Sequence, residues 1–414
     1  RTENRTENRT GIEIREDKMI KPRKTVQKMQ PYFVNDRPCR IKLDANEGSS
    51  YLLDSIDGTQ MIESLAGKGS FRANLYPDSD CVSLREKLAQ YYGCRKENMV
   101  IGNGSSELIH FVISTYCEPG DRVLTFSPGF SMYDIYCQLC EAEIVKLESG
   151  KDFEQDIDRL IEKARETAPK VVILCNPNNP TGYVNSREDV IRLAKALPDT
   201  VVAVDEAYAD FGDQSVVSEI ENFSNLVVLR TMSKAFGLAN LRVGCAVACE
   251  AMASDIWKVK VPYNLNGPSQ LLAELALENR DRIEPYIQQV NGERAKLTEA
   301  VNGKDDAVAS SDPAAASEIS AEAAAPAPAS ASTADGRPLL RAYPSGANFV
   351  LTESPDINLE EELLRRGIAI RSFGGSLEGF YRISIGEPDQ NQEVIKAIID
   401  IITIEERRRG YEQR

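Results

Sequence analysis

The sequence predicts an α/β protein with a mostly parallel sheet, and three observations carry that expectation. The runs VVILC (171–175), VVAVD (201–205) and LVVLR (226–230) are apolar up to a terminal Asp205 and Arg230 and rich in β-branched residues, as strands buried on both faces are. Each then breaks into polar residues: NPNNPTG, EAYADF and TMSKAFG. Stretches with helical periodicity and capping residues lie between the strands, so strands alternate with crossover helices, the order that builds parallel sheets. In such sheets ligands bind in the crevice at the carboxyl ends of the strands, which would gather Asn179, Asp205, Tyr208 and Lys234.

The elements follow in order. The opening RTENRTENRT is a tandem polar tetrapeptide that can bury nothing; it is expected to be a disordered arm without function, the start of an arm over residues 1–40. A larger domain is expected over 41–265. IKLDANEGSS (41–50) is a short strand entering a loop, and NLYPDSDCVSLREKLAQYYG (74–93) is a turn followed by an amphipathic helix with Leu84, Leu88 and Tyr92 at spacing four. MVIGNGSSELIHFVIS (99–114) passes from strand through a glycine turn into a helix. The free N–H groups of such a helix start face an anion well, which makes Gly104, Ser105 and Ser106 a candidate phosphate cradle, although by itself this pattern is far more often a simple cap. His110, the only histidine, has apolar neighbours and is expected in the core or an interface rather than in catalysis.

DRVLTFSPGFSMYDIYCQLC (121–140) is another strand, loop and helix; on its own residues, Phe130 is a packed loop aromatic. Cys137 and Cys140 form a C-x-x-C without the further ligands a zinc site needs, so no metal is expected. Helices are expected at 153–166 and at 186–197, the second opened by Ser186 with Asp189 as a capping box. Pro268 opens a helix that begins a smaller α/β domain over 266–414. That domain is interrupted at 303–338 by an Ala/Ser/Pro-rich segment without large apolar residues, expected to be a flexible insertion.

Composition excludes several classes. A chain of 414 residues with 42% hydrophobic content can build two domains, while a formal charge of −15 argues against nucleic acid or acidic lipid as a partner. No apolar run is long enough to cross a bilayer. Nine cysteines, an odd number placed in apolar runs, suit reduced thiols, and a cytoplasmic location is expected.

Singly, Lys234 could be a surface charge, Asp205 a helix cap and Arg242 a salt-bridge partner. In order and at their spacing, N-P-N-N-P-T-G, D-E-A-Y and S-K-A-F-G-L-A-N-L-R-V-G resemble the pyridoxal-phosphate-dependent aminotransferases of fold type I, within them the histidinol-phosphate aminotransferase family. The similarity runs from about Lys42 to Ile399 around the insertion. It implies a large domain with a mostly parallel sheet flanked by helices and a smaller C-terminal domain.

The resemblance also implies roles. Lys234 would anchor pyridoxal 5'-phosphate covalently and then move the substrate's α-proton; Asp205 would pair with the ring nitrogen; Tyr208 and Asn179 would hold the phenolic oxygen. Arg242, Ser233 and the Gly104–Ser106 turn would bind the phosphate and Phe130 would stack on the ring. Tyr76 would reach the cofactor phosphate of a partner subunit, making a homodimer. Arg382 matches the position that binds substrate carboxylate, Arg371 the one linked to substrate phosphate, and Asn179 lies between substrate and cofactor.

The expected reaction exchanges the amino group between L-histidinol phosphate and 2-oxoglutarate. The alternatives are an aromatic amino acid aminotransferase, a phospho-amino-acid decarboxylase of the same fold, or a cofactor-binding relative without turnover. One departure bears on substrate: where the family continues L-D-A-N-E with N-P-Y-G, this chain has Gly48, Ser49 and Ser50, leaving Tyr51 as the loop's aromatic.

Overall fold

The computed structural model describes residues 20–31, 37–54, 73–303 and 338–412. The opening tetrapeptides and 304–337, nearly all of the expected insertion, lie outside the described residues. Arg1–Asn35 forms one unit, in which a short helix, Lys24–Lys28, buries no residue. Asp36–Arg414 forms the other.

That second unit contains two sheets. The smaller begins with β1 (Ile41–Leu43). The larger contains β2 (Met99–Asn103), β3 (Arg122–Ser127), β4 (Glu143–Glu148), β5 (Val171–Cys175), β6 (Val201–Asp205), β7 (Leu226–Thr231) and β8 (Val243–Ala248), in the order β2-β8-β7-β6-β5-β3-β4. Neighbours pair in parallel except at β8, which is antiparallel to both β7 and β2.

The three apolar runs sit side by side at the centre, and their burial on both faces explains why they carry no polar residue before Asp205 and Arg230 at their ends. Val172, Leu174, Val202, Val204 and Val228 pack into the core on one face; Val171, Ile173, Ala203, Val227 and Leu229 pack into the core on the other. Each buried aliphatic contributes roughly 1.5–3 kcal/mol of transfer free energy.

Side-chain caps set several helix starts. Ser186 and Asp189 form the expected capping box on Arg187–Ala196, and Asn266 caps Gly267–Glu278, with Pro268 in its first turn. The helix expected from Phe153 starts instead at Ile157, because Asp156 accepts from the N–H groups of Asp158 and Arg159 at 2.9 and 3.1 Å. Lys151–Phe153 is a separate 3₁₀ turn.

The smaller sheet adds β9 (Arg341–Ala342), β10 (Phe349–Glu353), β11 (Ile368–Ser372) and β12 (Phe380–Ser384), in the order β1-β11-β12-β10-β9. Its first strand comes from the N-terminal side of the chain: Ile41, Lys42 and Leu43 pair in parallel with Ile368, Ala369 and Ile370. The stretch expected to open the larger domain therefore belongs to the smaller sheet. This register carries the loop after β1 alongside β12.

Candidate active site

The carboxyl ends of β5, β6 and β7 and the loop after β1 meet where the sequence placed the crevice. Lys234 lies three residues beyond β7, and its Nζ donates to the Ala45 carbonyl at 3.0 Å. Burial, and after it the positive charge of Arg382, lowers its pKa from 10.5 to about 7. A lysine so placed holds a neutral, nucleophilic amine near neutral pH.

Asp205 ends β6 and is 3% exposed. Its carboxylate accepts from Tyr133 Oη at 2.8 Å and from the Ala207 N–H at 3.2 Å, and it forms no ion pair among the described residues. Burial pushes its pKa up, and those two hydrogen bonds pull it back. Tyr208 is also buried; its hydroxyl accepts from Asn46 Nδ2 at 3.0 Å, its ring meets Phe349 edge-on, and burial pushes its pKa up to about 12.

Asn179 Oδ1 accepts from Arg382 Nη1 at 2.6 Å, so the amide oxygen is committed to the arginine and the amide nitrogen is left as a donor. Arg382 Nη2 donates to the Asp44 carbonyl at 2.8 Å. Arg371 stands directly opposite Arg382 in the antiparallel pairing of β11 with β12, which puts both side chains on one face of the sheet. Arg371 forms no ion pair among the described residues. Like charges directly opposite destabilise a sheet unless an anion lies between them.

A second basic corner forms around Gly104. This residue caps Ser105–Tyr116 with φ of +79°, and a Cβ there would collide with the Arg242 guanidinium, so only glycine lets the arginine lie over the helix start. Arg242 Nη1 also donates to Ser233 Oγ at 3.3 Å and to the Ala239 carbonyl at 3.0 Å. No side chain caps this helix, and neither Ser105 nor Ser106 has a hydroxyl partner among the described residues. The first N–H groups, the two hydroxyls and the guanidinium together suit a phosphate.

The family described as aminotransferase class I and II matches residues 59–398. The chain belongs to that family. Among curated relatives, the histidinol-phosphate aminotransferase of Ruminiclostridium cellulolyticum is 34% identical over 92% of this chain and 97% of its own length. That of Caldanaerobacter subterraneus subsp. tengcongensis is 34% identical over 92% and 98%. Among solved structures, histidinol-phosphate aminotransferase from Sinorhizobium meliloti, in complex with pyridoxal-5'-phosphate, superposes with a TM-score of 0.75 at 21% identity, covering 93% of this chain and 98% of its own. L-threonine-O-3-phosphate decarboxylase from Porphyromonas gingivalis shares the fold at a TM-score of 0.69 and 22% identity, over 88% and 99%.

The site residues of this aminotransferase fit pyridoxal 5'-phosphate. A buried carboxylate without a cation suits a protonated ring nitrogen, a low-pKa lysine suits the aldehyde carbon, and the Gly104–Arg242 corner suits the phosphate. Phe130 is half-buried and meets Tyr133 edge-on at 5.6 Å. Tyr76 is 81% exposed and stacks on Tyr263 at 4.5 Å, making no bond to its own chain's lysine corner. His110 is half-buried on its helix and stacks on Tyr136. Tyr51 donates to the Ala235 carbonyl at 2.8 Å and stacks on Tyr286, so it buttresses the lysine turn.

Sequence reasoning missed Tyr133 and Asn46. Tyr133 sits three residues past Phe130 on a helix whose register against β6 no local pattern announces. Asn46 has a signal, a short polar residue where the loop after β1 needs a left-handed φ of 54°, but its partners are far away in sequence. A further missed group is Arg230, which is 3% exposed and pairs with Glu206 at 2.7 Å and with Asp210 beneath the site.

Proposed function

We propose that this aminotransferase carries pyridoxal 5'-phosphate on Lys234 and exchanges the amino group between L-histidinol phosphate and 2-oxoglutarate, giving imidazole-acetol phosphate and L-glutamate in histidine biosynthesis. The observation that carries the substrate class is Arg371 directly opposite Arg382, with Arg382 already tied to Asn179 beside the cofactor corner. The names of the relatives that align along nearly the whole chain support the same reading.

When bound, the cofactor supplies an electron sink for the pair left behind by the α-proton. The Lys234 amine, its pKa lowered to about 7, would take that proton and later release it. Asp205, its carboxylate oriented by Tyr133, would hold a proton on the ring nitrogen. Asn179 and Tyr208 donate to the phenolic oxygen. Arg382 binds the α-carboxylate of glutamate through the fork geometry that lysine lacks, and Arg371 receives the phosphate of histidinol phosphate.

Leu75, Tyr76, Val261 and Tyr263 are exposed apolar side chains, Tyr76 and Tyr263 stacked in solvent, and a second copy would cover that stack. In that homodimer Tyr76 reaches the partner's cofactor phosphate. The odd number of cysteines, set in apolar runs, is the basis for placing the protein in the cytoplasm.

Arg371→Ala tests the substrate assignment. It should raise KM for histidinol phosphate about 10- to 100-fold, the size of charge-assisted hydrogen bonds lost, and change the glutamate half-reaction little. Equal effects on both substrates, or none on either, would remove the argument for a phosphorylated substrate.

A further inference from the structure

Asn46 is buried at 1% exposure, adopts φ of 54°, and makes four hydrogen bonds that the roles assigned above leave unexplained. Their polarity follows from which groups can only donate. The Asn46 main-chain N–H must donate, and it does so to Ser384 Oγ at 2.9 Å. That leaves the Ser384 hydroxyl hydrogen for the Asn46 side-chain oxygen, also 2.9 Å away. With Oδ1 committed to the serine, the amide –NH₂ faces Tyr208, and Nδ2 donates to the phenol oxygen at 3.0 Å. The Asn46 carbonyl is held in turn by Asn348 Nδ2 at 3.2 Å.

A phenol that accepts from an amide still has its own hydrogen to donate. Tyr208 has no acceptor for that hydrogen among the described residues. We propose that Asn46, oriented by Ser384, is a positioning residue that commits Tyr208 to donate its hydroxyl hydrogen to the phenolic oxygen of the bound cofactor. This rests on the cofactor reading above and deepens it. The strand placement adds a second consequence: Ser384 and Arg382 are two apart on β12, on the same face of the sheet. The strand that carries the substrate-binding arginine therefore also holds the switch point of the tyrosine's hydrogen-bond polarity.

The test is a pH titration of the absorbance of the lysine-bound cofactor, which needs no turnover. A donor to the phenolic oxygen favours the form in which the linking nitrogen has lost its proton, so losing that donor raises the titration midpoint. Tyr208→Phe should raise it, and Asn46→Ala should raise it by about half to one pH unit, one hydrogen bond's worth. In the Tyr208→Phe background, Asn46→Ala should add nothing, because its effect passes through the hydroxyl.

Ser384→Ala keeps Asn46 and frees its amide to turn; it should shift the midpoint in the same direction by less. It also serves as the informative variant should Asn46→Ala fold poorly. An equal shift by Asn46→Ala with and without the Tyr208 hydroxyl would overturn the proposal, as would no shift in either Asn46→Ala or Ser384→Ala. The unmodified protein is titrated first: if it shows no lysine-bound absorbance, the cofactor reading itself falls, a failure distinct from a normal titration that the variants leave unmoved.

Discussion

Lys234 differs from an ordinary lysine by its surroundings. Burial and the nearby Arg382 charge bring its pKa from 10.5 to about 7, so its proton is lost as pH rises through 7. The rate at which cofactor-free protein captures pyridoxal 5'-phosphate should therefore climb through pH 7 and level off above it. A rate still climbing steadily from pH 8 to 10 would show an unperturbed amine. The unfolded chain holds this proton up to a higher pH than the folded one, so the same shift makes the cofactor-free fold gain stability as pH rises from about 7 toward 10.5.

Tyr133 gives a second residue-scale prediction. Its hydroxyl donates to a carboxylate that is 3% exposed, and removing such a donor leaves buried charge under-satisfied. Tyr133→Phe should lower kcat roughly 10- to 100-fold with the cofactor still bound; unchanged kcat would mean that Asp205 needs no such support.

Among elements, the central strands and the loops at their carboxyl ends were legible because their signals are local. Continuous apolar runs mark β5, β6 and β7, and Asn179, Asp205, Tyr208 and Lys234 follow from where those runs stop. The same local reading placed Ile41–Leu43 in the larger domain, since nothing near it in sequence shows that its partner is Ile368–Ile370. The buried ion cluster was hidden for a related reason: Arg230 lies within β7 and its partners Glu206 and Asp210 just after β6, and only the parallel pairing of the two strands joins them.

Arg230 also stacks on the Tyr92 ring at 4.8 Å, tying the helix Val82–Tyr92 to the underside of the site. Arg230→Met would leave two buried carboxylates without a cation. It should destabilise the fold by about 3–5 kcal/mol in denaturant unfolding. A loss under ~1 kcal/mol would show that solvent reaches the cluster.

For the whole molecule, two sheets contribute side chains to one crevice. In the proposed site the larger sheet supplies Lys234, Asp205 and the Gly104–Arg242 corner; the smaller supplies Arg371, Arg382 and, through the loop after β1, Asn46. In the proposed homodimer, the exposed Tyr76–Tyr263 stack is the part that a second copy would cover. Mixing Lys234→Ala with Tyr76→Ala subunits should recover about one quarter of native activity, because half the dimers would be mixed and each would hold one intact site. No recovery after subunit exchange would place Tyr76 outside the partner's site.

A rapid-mixing absorbance measurement decides the substrate assignment. The pyridoxal-loaded protein is mixed separately with L-histidinol phosphate, glutamate, phenylalanine and tyrosine, and conversion of the cofactor to its amine form is followed. Fast conversion by histidinol phosphate and glutamate, and slow conversion by the free aromatic amino acids, are the expected results. Conversion by phenylalanine and tyrosine with none by histidinol phosphate would contradict that assignment.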